Sequence, residues 1–247
     1  MNIKRSIFRS VNGLINKFGI LLSVPEVIHG SPAFSGATLW ARRQKDMKYY
    51  FDILQGVKGG VVESGVHWGY GILIELSLDE DREIYGFDSF KGHSKPTNND
   101  KSGGNYQALD SSFSITENDV WKTLELGTGT TKKELKSRVT LVPGWIQESM
   151  AGYLNETNKK IALVHVDCDI YEPFKATLMA SWPHLVQNGI IIIGIMDNLE
   201  LMGKTIAVKE FLENLDSSSY ELKEREMYDN GFNLVKQSYI VKKIKEL

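Results

Sequence analysis

The sequence predicts an α/β fold: a mostly parallel, seven-stranded sheet with helices on both faces, preceded by a helical extension. Three observations predict it. From Val57 onward, apolar runs rich in Val and Ile alternate with helical patterns, as in strand–helix–strand units of a parallel sheet. The run Gly60-Val61-Val62-Glu63-Ser64-Gly65-Val66-His67-Trp68-Gly69-Tyr70-Gly71 reads as a strand, a glycine-rich turn and a helix start. At 247 residues with 42% apolar side chains, the chain is long enough for one large domain with a real core.

Residues 1–56 read as the helical extension, a substrate lid or dimer contact, and 57–247 as the main domain. Met1 to Leu22 carries Ile3, Ile7, Val11, Leu14, Ile15, Phe18 and Leu22 at roughly helical spacing, with Lys4, Arg5, Arg9 and Lys17 between them. It lacks the continuous apolar stretch and cleavage site of a secretory signal. Such a segment packs on its own domain or on a second subunit, so a homo-oligomer, a dimer, is expected; contact with a membrane surface is the weaker alternative. An irregular stretch (Pro25 to Gly36) precedes a helix over 38–54. Strands are predicted near 60–65, 83–88, 139–142, 161–167 and 189–195, and helices near 70–78, 147–155, 173–186 and 204–215. Segments 220–227 and 235–243 read as an antiparallel pair at the sheet edge. The insertion 91–137 holds a polar loop (Lys91 to Gly104) and a short helix near Glu117 to Leu126. It follows the second strand on the side where open α/β sheets bind ligands, and reads either as a substrate lid or as a surface excursion.

Composition excludes several classes. A net charge of −2 provides no basic field for nucleic acid. The single cysteine, Cys168, rules out a disulfide framework and a cysteine-rich zinc site, and fits a reducing, cytoplasmic compartment. No apolar run reaches the length of a membrane span.

The chemistry gathers at the strand ends. Glycines after the first strand let the backbone approach a ligand with φ > 0. Glu63 beside that turn repels a pyrophosphate but suits a cation, which favours S-adenosylmethionine, a sulfonium without phosphate, over a dinucleotide. Asp88 ends the second strand, Glu83-Ile84-Tyr85-Gly86-Phe87-Asp88, where a carboxylate accepts from ribose hydroxyls or caps the next turn. Asp167 and Asp169 follow the apolar run Ile161 to Val166 and share one side of the extended chain. They read as ligands for a hard divalent cation, or as a general base and a helix cap. Asp197 and Asn198 follow the run Gly189 to Met196 and read as further metal ligands or as turn residues. His165 and His67 read as structural.

Together these stretches resemble a known family, the class I S-adenosylmethionine-dependent methyltransferases of the macrocin O-methyltransferase type. VVESGVHWGYG, EIYGFDSFKGHSKP, VTLVPGWIQESM and IALVHVDCDIYEPFKATL carry the resemblance, and GKTIAVKEFL extends it over roughly residues 57–215. It implies a Rossmann-like class I methyltransferase fold and O-methylation of a small polar metabolite, a sugar or glycosylated natural product, with S-adenosylmethionine and Mg²⁺. Glu63, Gly65 and Gly69 would line the methionine end of the cofactor. Asp88 with Ser89 would hold the ribose, and Trp145 would lie near the adenine. Asp167 would touch the cofactor, bind the metal with Asp197 and Asn198, and act as base. The chain departs from the pattern in carrying Tyr70 for a glycine and Gly194-Ile195 for an acidic pair, and no histidine follows His184. The alternative is a methyltransferase-derived binding or assembly protein that has lost catalysis. An NAD-dependent oxidoreductase is a weaker reading, disfavoured by Glu63 and the lack of a G-x-G-x-x-G run.

Overall fold

The computed structural model describes residues 37–100, 114–194, 202–228 and 234–245. The amphipathic segment 1–22, the centre of the insertion, and Asp197 with Asn198 lie outside the described residues. The elements are α1 (Ala37–Ile53), β1 (Gly60–Ser64), α2 (Tyr70–Leu78), β2 (Ile84–Asp88), α3 (Glu117–Thr128), α4 (Lys132–Leu135), β3 (Val139–Pro143), α5 (Ile146–Thr157), β4 (Ile161–Val166), α6 (Tyr171–Ser181), a 3₁₀ turn (Trp182–His184), β5 (Leu185–Ile193), α7 (Met202–Glu213), β6 (Tyr220–Tyr228) and β7 (Leu234–Lys243).

The seven strands form one sheet in the order β3-β2-β1-β4-β5-β7-β6. Neighbours from β3 to β5 pair in parallel, whereas β7 lies antiparallel between β5 and β6. The last two strands therefore pair as expected, but the final one inserts next to β5 and β6 takes the edge.

Consecutive β-branched residues explain why helices cover both faces. Side chains alternate across a strand, so Val61, Leu163 and Ile190 enter one core while Val62, Val164 and Ile191 enter the other. The first core is closed by α1, α2 and α3 through Tyr50, Leu73 and Trp121; the second by α5, α6 and α7 through Met150, Phe174 and Phe211. Helix α1 belongs to the same core as the sheet. Its Tyr50 hydroxyl lies 3.0 Å from Ser238 Oγ on β7, and Arg225 of β6 bonds Asp46 at 2.8 Å while its guanidinium stacks 4.2 Å from the Tyr49 ring centre.

Local chemistry accounts for the differences from the predicted boundaries. The helix predicted to reach 186 stops at Ser181, and the chain passes through a 3₁₀ turn containing Pro183 straight into β5. Proline removes a backbone donor and crowds the preceding turn. Strand β5 begins at Leu185, which pairs with Ile161, and a register shift separates it from the Ile190–Ile193 ladder. Asn188 takes up that irregularity with φ 65°. The second half of the insertion is framework: α3 buries Val120, Trp121 and Leu124, and α4 starts on a Thr131/Glu134 capping box.

Candidate functional site

The turn between β1 and α2 is built by close backbone approach. Gly65 has φ 89°, and a Cβ there would stand 2.6 Å from the Asp167 carbonyl oxygen. The Gly65 N–H donates to Phe87 O at 2.9 Å, and the Asp167 N–H donates to Ser64 O at 2.9 Å. The tips of β1, β2 and β4 are thereby tied together. His67 takes a left-handed conformation (φ 47°), which turns its N–H onto Asp88 Oδ2 at 2.8 Å.

Above these tips lies an open cleft of about 780 Å³ up to its mouth, at the carboxyl ends of β1 to β4. It sits where the strand order changes direction, between β1 and β4, the usual ligand position in an open α/β sheet. Its lining follows the strand order: Trp145 after β3, Asp88 and Ser89 at β2, Gly65 and His67 after β1, and Asp167 and Asp169 after β4. Each Asp88 oxygen accepts one backbone N–H, from His67 at 2.8 Å and from Phe90 at 2.8 Å. One lone pair per oxygen stays available for a ligand hydroxyl. Ser89 Oγ donates to Gly92 O at 2.7 Å and accepts from Lys91 N at 3.0 Å, shaping the loop that overhangs the cleft. That loop brings His93 and Ser94 to the wall, and Ser94 Oγ is buried with no partner among the described residues. A buried hydroxyl without a partner is costly unless a ligand or water supplies one.

The two acids after β4 differ sharply. Asp169 accepts from Lys204 Nζ at 3.1 Å on one oxygen and lies 3.2 Å from His93 Nε2 on the other. Desolvation pushes its carboxyl up, but the His93 and Lys204 contacts outweigh this and hold it at about 2. Asp167 opens onto the cleft and makes no side-chain hydrogen bond among the described residues. The protein around it desolvates it even though its side chain is exposed to the cleft, and this effect, with the charges of Glu63 and Asp169, raises its carboxyl above the ordinary range despite His165 and Lys204. Cys168 between them is inert: burial pushes its thiol up to about 12, and Sγ lies 2.9 Å from Ser64 Oγ.

Beneath the turn lies a second acidic group that the cleft does not include. Glu63 is 2% exposed, and its Oε2 lies 2.6 Å from His165 Nδ1, its register partner across β1 and β4. Glu75 of α2 is 1% exposed and neither oxygen has a partner as a carboxylate. Desolvation and the neighbouring Glu63 raise its carboxyl far above the normal range, so it sits there protonated. Burial alone would discharge His165, but the Glu63 charge overrides this and holds the imidazole at about 9. The triad is thus one neutral acid and one ion pair.

The structure brings Gly65, Asp88, Ser89, Trp145 and Asp167 to one cleft. Glu63, expected at the cofactor's methionine end, lies below the turn because it is still inside the strand ladder. Gly69, also expected there, is the left-handed residue before α2 (φ 82°), and a Cβ on it would stand 2.9 Å from Val120 of α3. Its glycine serves helix packing. Of the expected metal ligands only Asp167 is described. Sequence reasoning did not single out His93, Ser94 or Lys204. Their only signal was position: polar residues in the loop after one acid-tipped strand, and a cation opening a helix.

The profile of the macrocin-O-methyltransferase (TylF) family matches residues 31–219. The 8-demethyl-8-(2,3-dimethoxy-α-L-rhamnosyl)-tetracenomycin-C 4′-O-methyltransferase of Streptomyces olivaceus is 25% identical over 174 residues, 66% of this chain and 63% of that relative's length. Among solved structures, CalS11, a calicheamicin methyltransferase, superposes with a TM-score of 0.66 at 22% identity, covering 96% of this chain and 92% of that one. The O-methyltransferase NovP superposes with a TM-score of 0.62 at 18% identity, over 83% and 80%. These likenesses establish the fold. Among the described residues no helix is long and apolar enough to cross a membrane.

Proposed function

We propose that this chain, which belongs to the macrocin-O-methyltransferase family, is an S-adenosylmethionine-dependent O-methyltransferase acting on a sugar hydroxyl of a small polar metabolite. One observation carries the reading. Asp88 and Asp167 line a single cleft from the two strands that flank β1, with the Gly65 turn between them. Asp88 would accept from the ribose hydroxyls, and Trp145 would cover the adenine. When bound, the cofactor would supply the methyl group to the acceptor hydroxyl and leave as the neutral thioether. The chain supplies alignment, and Asp167 would take the hydroxyl proton. A carboxylate held above its ordinary range is a better base than a free one. The sugar assignment draws on the relative named for 4′-O-methylation of a rhamnosyl group. The alternative of a binding protein without catalysis is disfavoured by an open cleft with an unbonded Asp167 carboxylate on its wall.

The test is methyl-labelled S-adenosylmethionine incubated with a panel of free, nucleotide-linked and aglycone-linked deoxyhexoses. Label on at least one sugar hydroxyl supports the reading; cofactor binding with no transfer to any member favours the non-catalytic alternative.

A further inference from the structure

We propose that the ammonium of Lys204 takes the place of a divalent cation in this cleft, so that the proposed methyl transfer runs without a bound metal. The inference deepens the methyltransferase reading and rests on it. Lys204 is buried, its side chain 9% exposed, with Nζ 3.1 Å from Asp169 Oδ1 and 5.8 Å from the centre of the Phe174 ring. A buried ammonium needs a paired charge, and Asp169 provides it. The frame around it is rigid. Asp100, 0% exposed, accepts from Tyr171 N at 2.8 Å, Thr97 N at 2.7 Å and Thr97 Oγ1 at 2.9 Å. Gly203 packs on that carboxylate so closely that a Cβ there would overlap Asp100 Oδ1. The start of α7 is therefore locked to the overhanging loop and to α6, and Lys204 is delivered to Asp169 at a fixed position.

A hard divalent cation does not fit this arrangement. Mg²⁺ or Mn²⁺ needs a shell of oxygen ligands. Asp169 meets Lys204 on one oxygen and His93 on the other. Gly194 at the exit of β5 contributes no side-chain ligand. A cation joining Asp167 to Asp169 would stand beside the buried Lys204 ammonium, which already pairs with Asp169 and repels a second cation. Lys204 instead neutralises Asp169, with His93 against its other oxygen, and Asp167 is left to receive the proton.

The test uses Mn²⁺ alone, titrated calorimetrically into the full chain with and without S-adenosylhomocysteine. The wild type is expected to show no saturable one-to-one Mn²⁺ binding tighter than about 1 mM. Lys204→Met removes the ammonium and is expected to gain one Mn²⁺ site tighter than about 0.1 mM, abolished again by adding Asp169→Asn. Saturable Mn²⁺ binding by the wild type, or no gain in the folded Lys204→Met variant, overturns the proposal. The wild-type titration needs no variant and decides the matter if Lys204→Met does not fold. Wild-type Mn²⁺ binding alongside intact S-adenosylhomocysteine binding removes only this inference; loss of S-adenosylhomocysteine binding removes the methyltransferase reading itself.

Discussion

Two groups of acids sit a few residues apart at the same end of the sheet, and they behave oppositely. Glu63, Glu75 and His165 lie inside the ladder and the packed start of α2, close on one another and outside the cleft. Asp88, Asp167 and Asp169 lie at or just past the strand ends and face open space. Glu63 and Gly65 are two residues apart, as are His165 and Asp167. The difference teaches that an acid at a strand tip is assigned by whether its residue is still held in the ladder on both sides; Asp88 is paired on one side alone, with Pro143. Glu63 pairs with Gly86 on one side and His165 on the other, and the absence of a Cβ at Gly71 lets its carboxyl sink against α2. Asp167 has left the ladder, so its side chain reaches the cleft.

Substitutions that separate the two groups sharpen or break this contrast. The largest effect is expected from Asp167→Asn, which keeps the shape and removes the base. Turnover should fall about 10²–10⁴-fold while the melting temperature and cofactor affinity stay near wild type; an equal loss of stability would place Asp167 with the buried triad. Glu63→Ala should do the reverse. It removes the charge that keeps the His165 imidazole protonated and the hydrogen-bond partner 2.6 Å from its Nδ1, and should cost about 2–3 kcal/mol in denaturant unfolding; weaker cofactor binding without destabilisation would return Glu63 to the cleft. A pH titration of stability probes the same pair. His165 is held at about 9 when folded against about 6.5 for a free imidazole, so its contribution is complete below about 6.5 and is lost as pH rises through about 9. In His165→Phe this alkaline slope should flatten. Two glycines give the smallest contrast. Gly71→Ala forces a methyl group against Glu63 and should cost about 1–3 kcal/mol. Gly152→Ala, in α5 with nothing within 4 Å of the new methyl, should stabilise by about 0.5–1 kcal/mol.

The strand core and the ladder-end acids were legible in the sequence because they depend on local pattern. Val61-Val62 and Ile190 to Ile193 can only be strands buried on both faces, and Asp88 and Asp167 follow such runs directly. Less was legible where an outcome depends on distant residues meeting. Nothing near Glu63 announces that Glu75 and His165 will surround it. Lys204 meets Asp169 across 35 positions, and His93 meets it across 76. The left-handed turn at Gly69 looks the same in sequence whether its glycine makes room for a cofactor or for Val120 of a later helix.

The central claim, that one cleft lined by Asp88 and Asp167 holds a sulfonium nucleoside, is tested most directly by calorimetric titration of S-adenosylhomocysteine into wild type and Asp88→Ala. The expected result is one-to-one binding by the wild type and a loss of about 1.5–3 kcal/mol, roughly 10- to 100-fold in affinity, in the variant. No binding by the wild type at millimolar ligand, or equal affinity in Asp88→Ala, would contradict it.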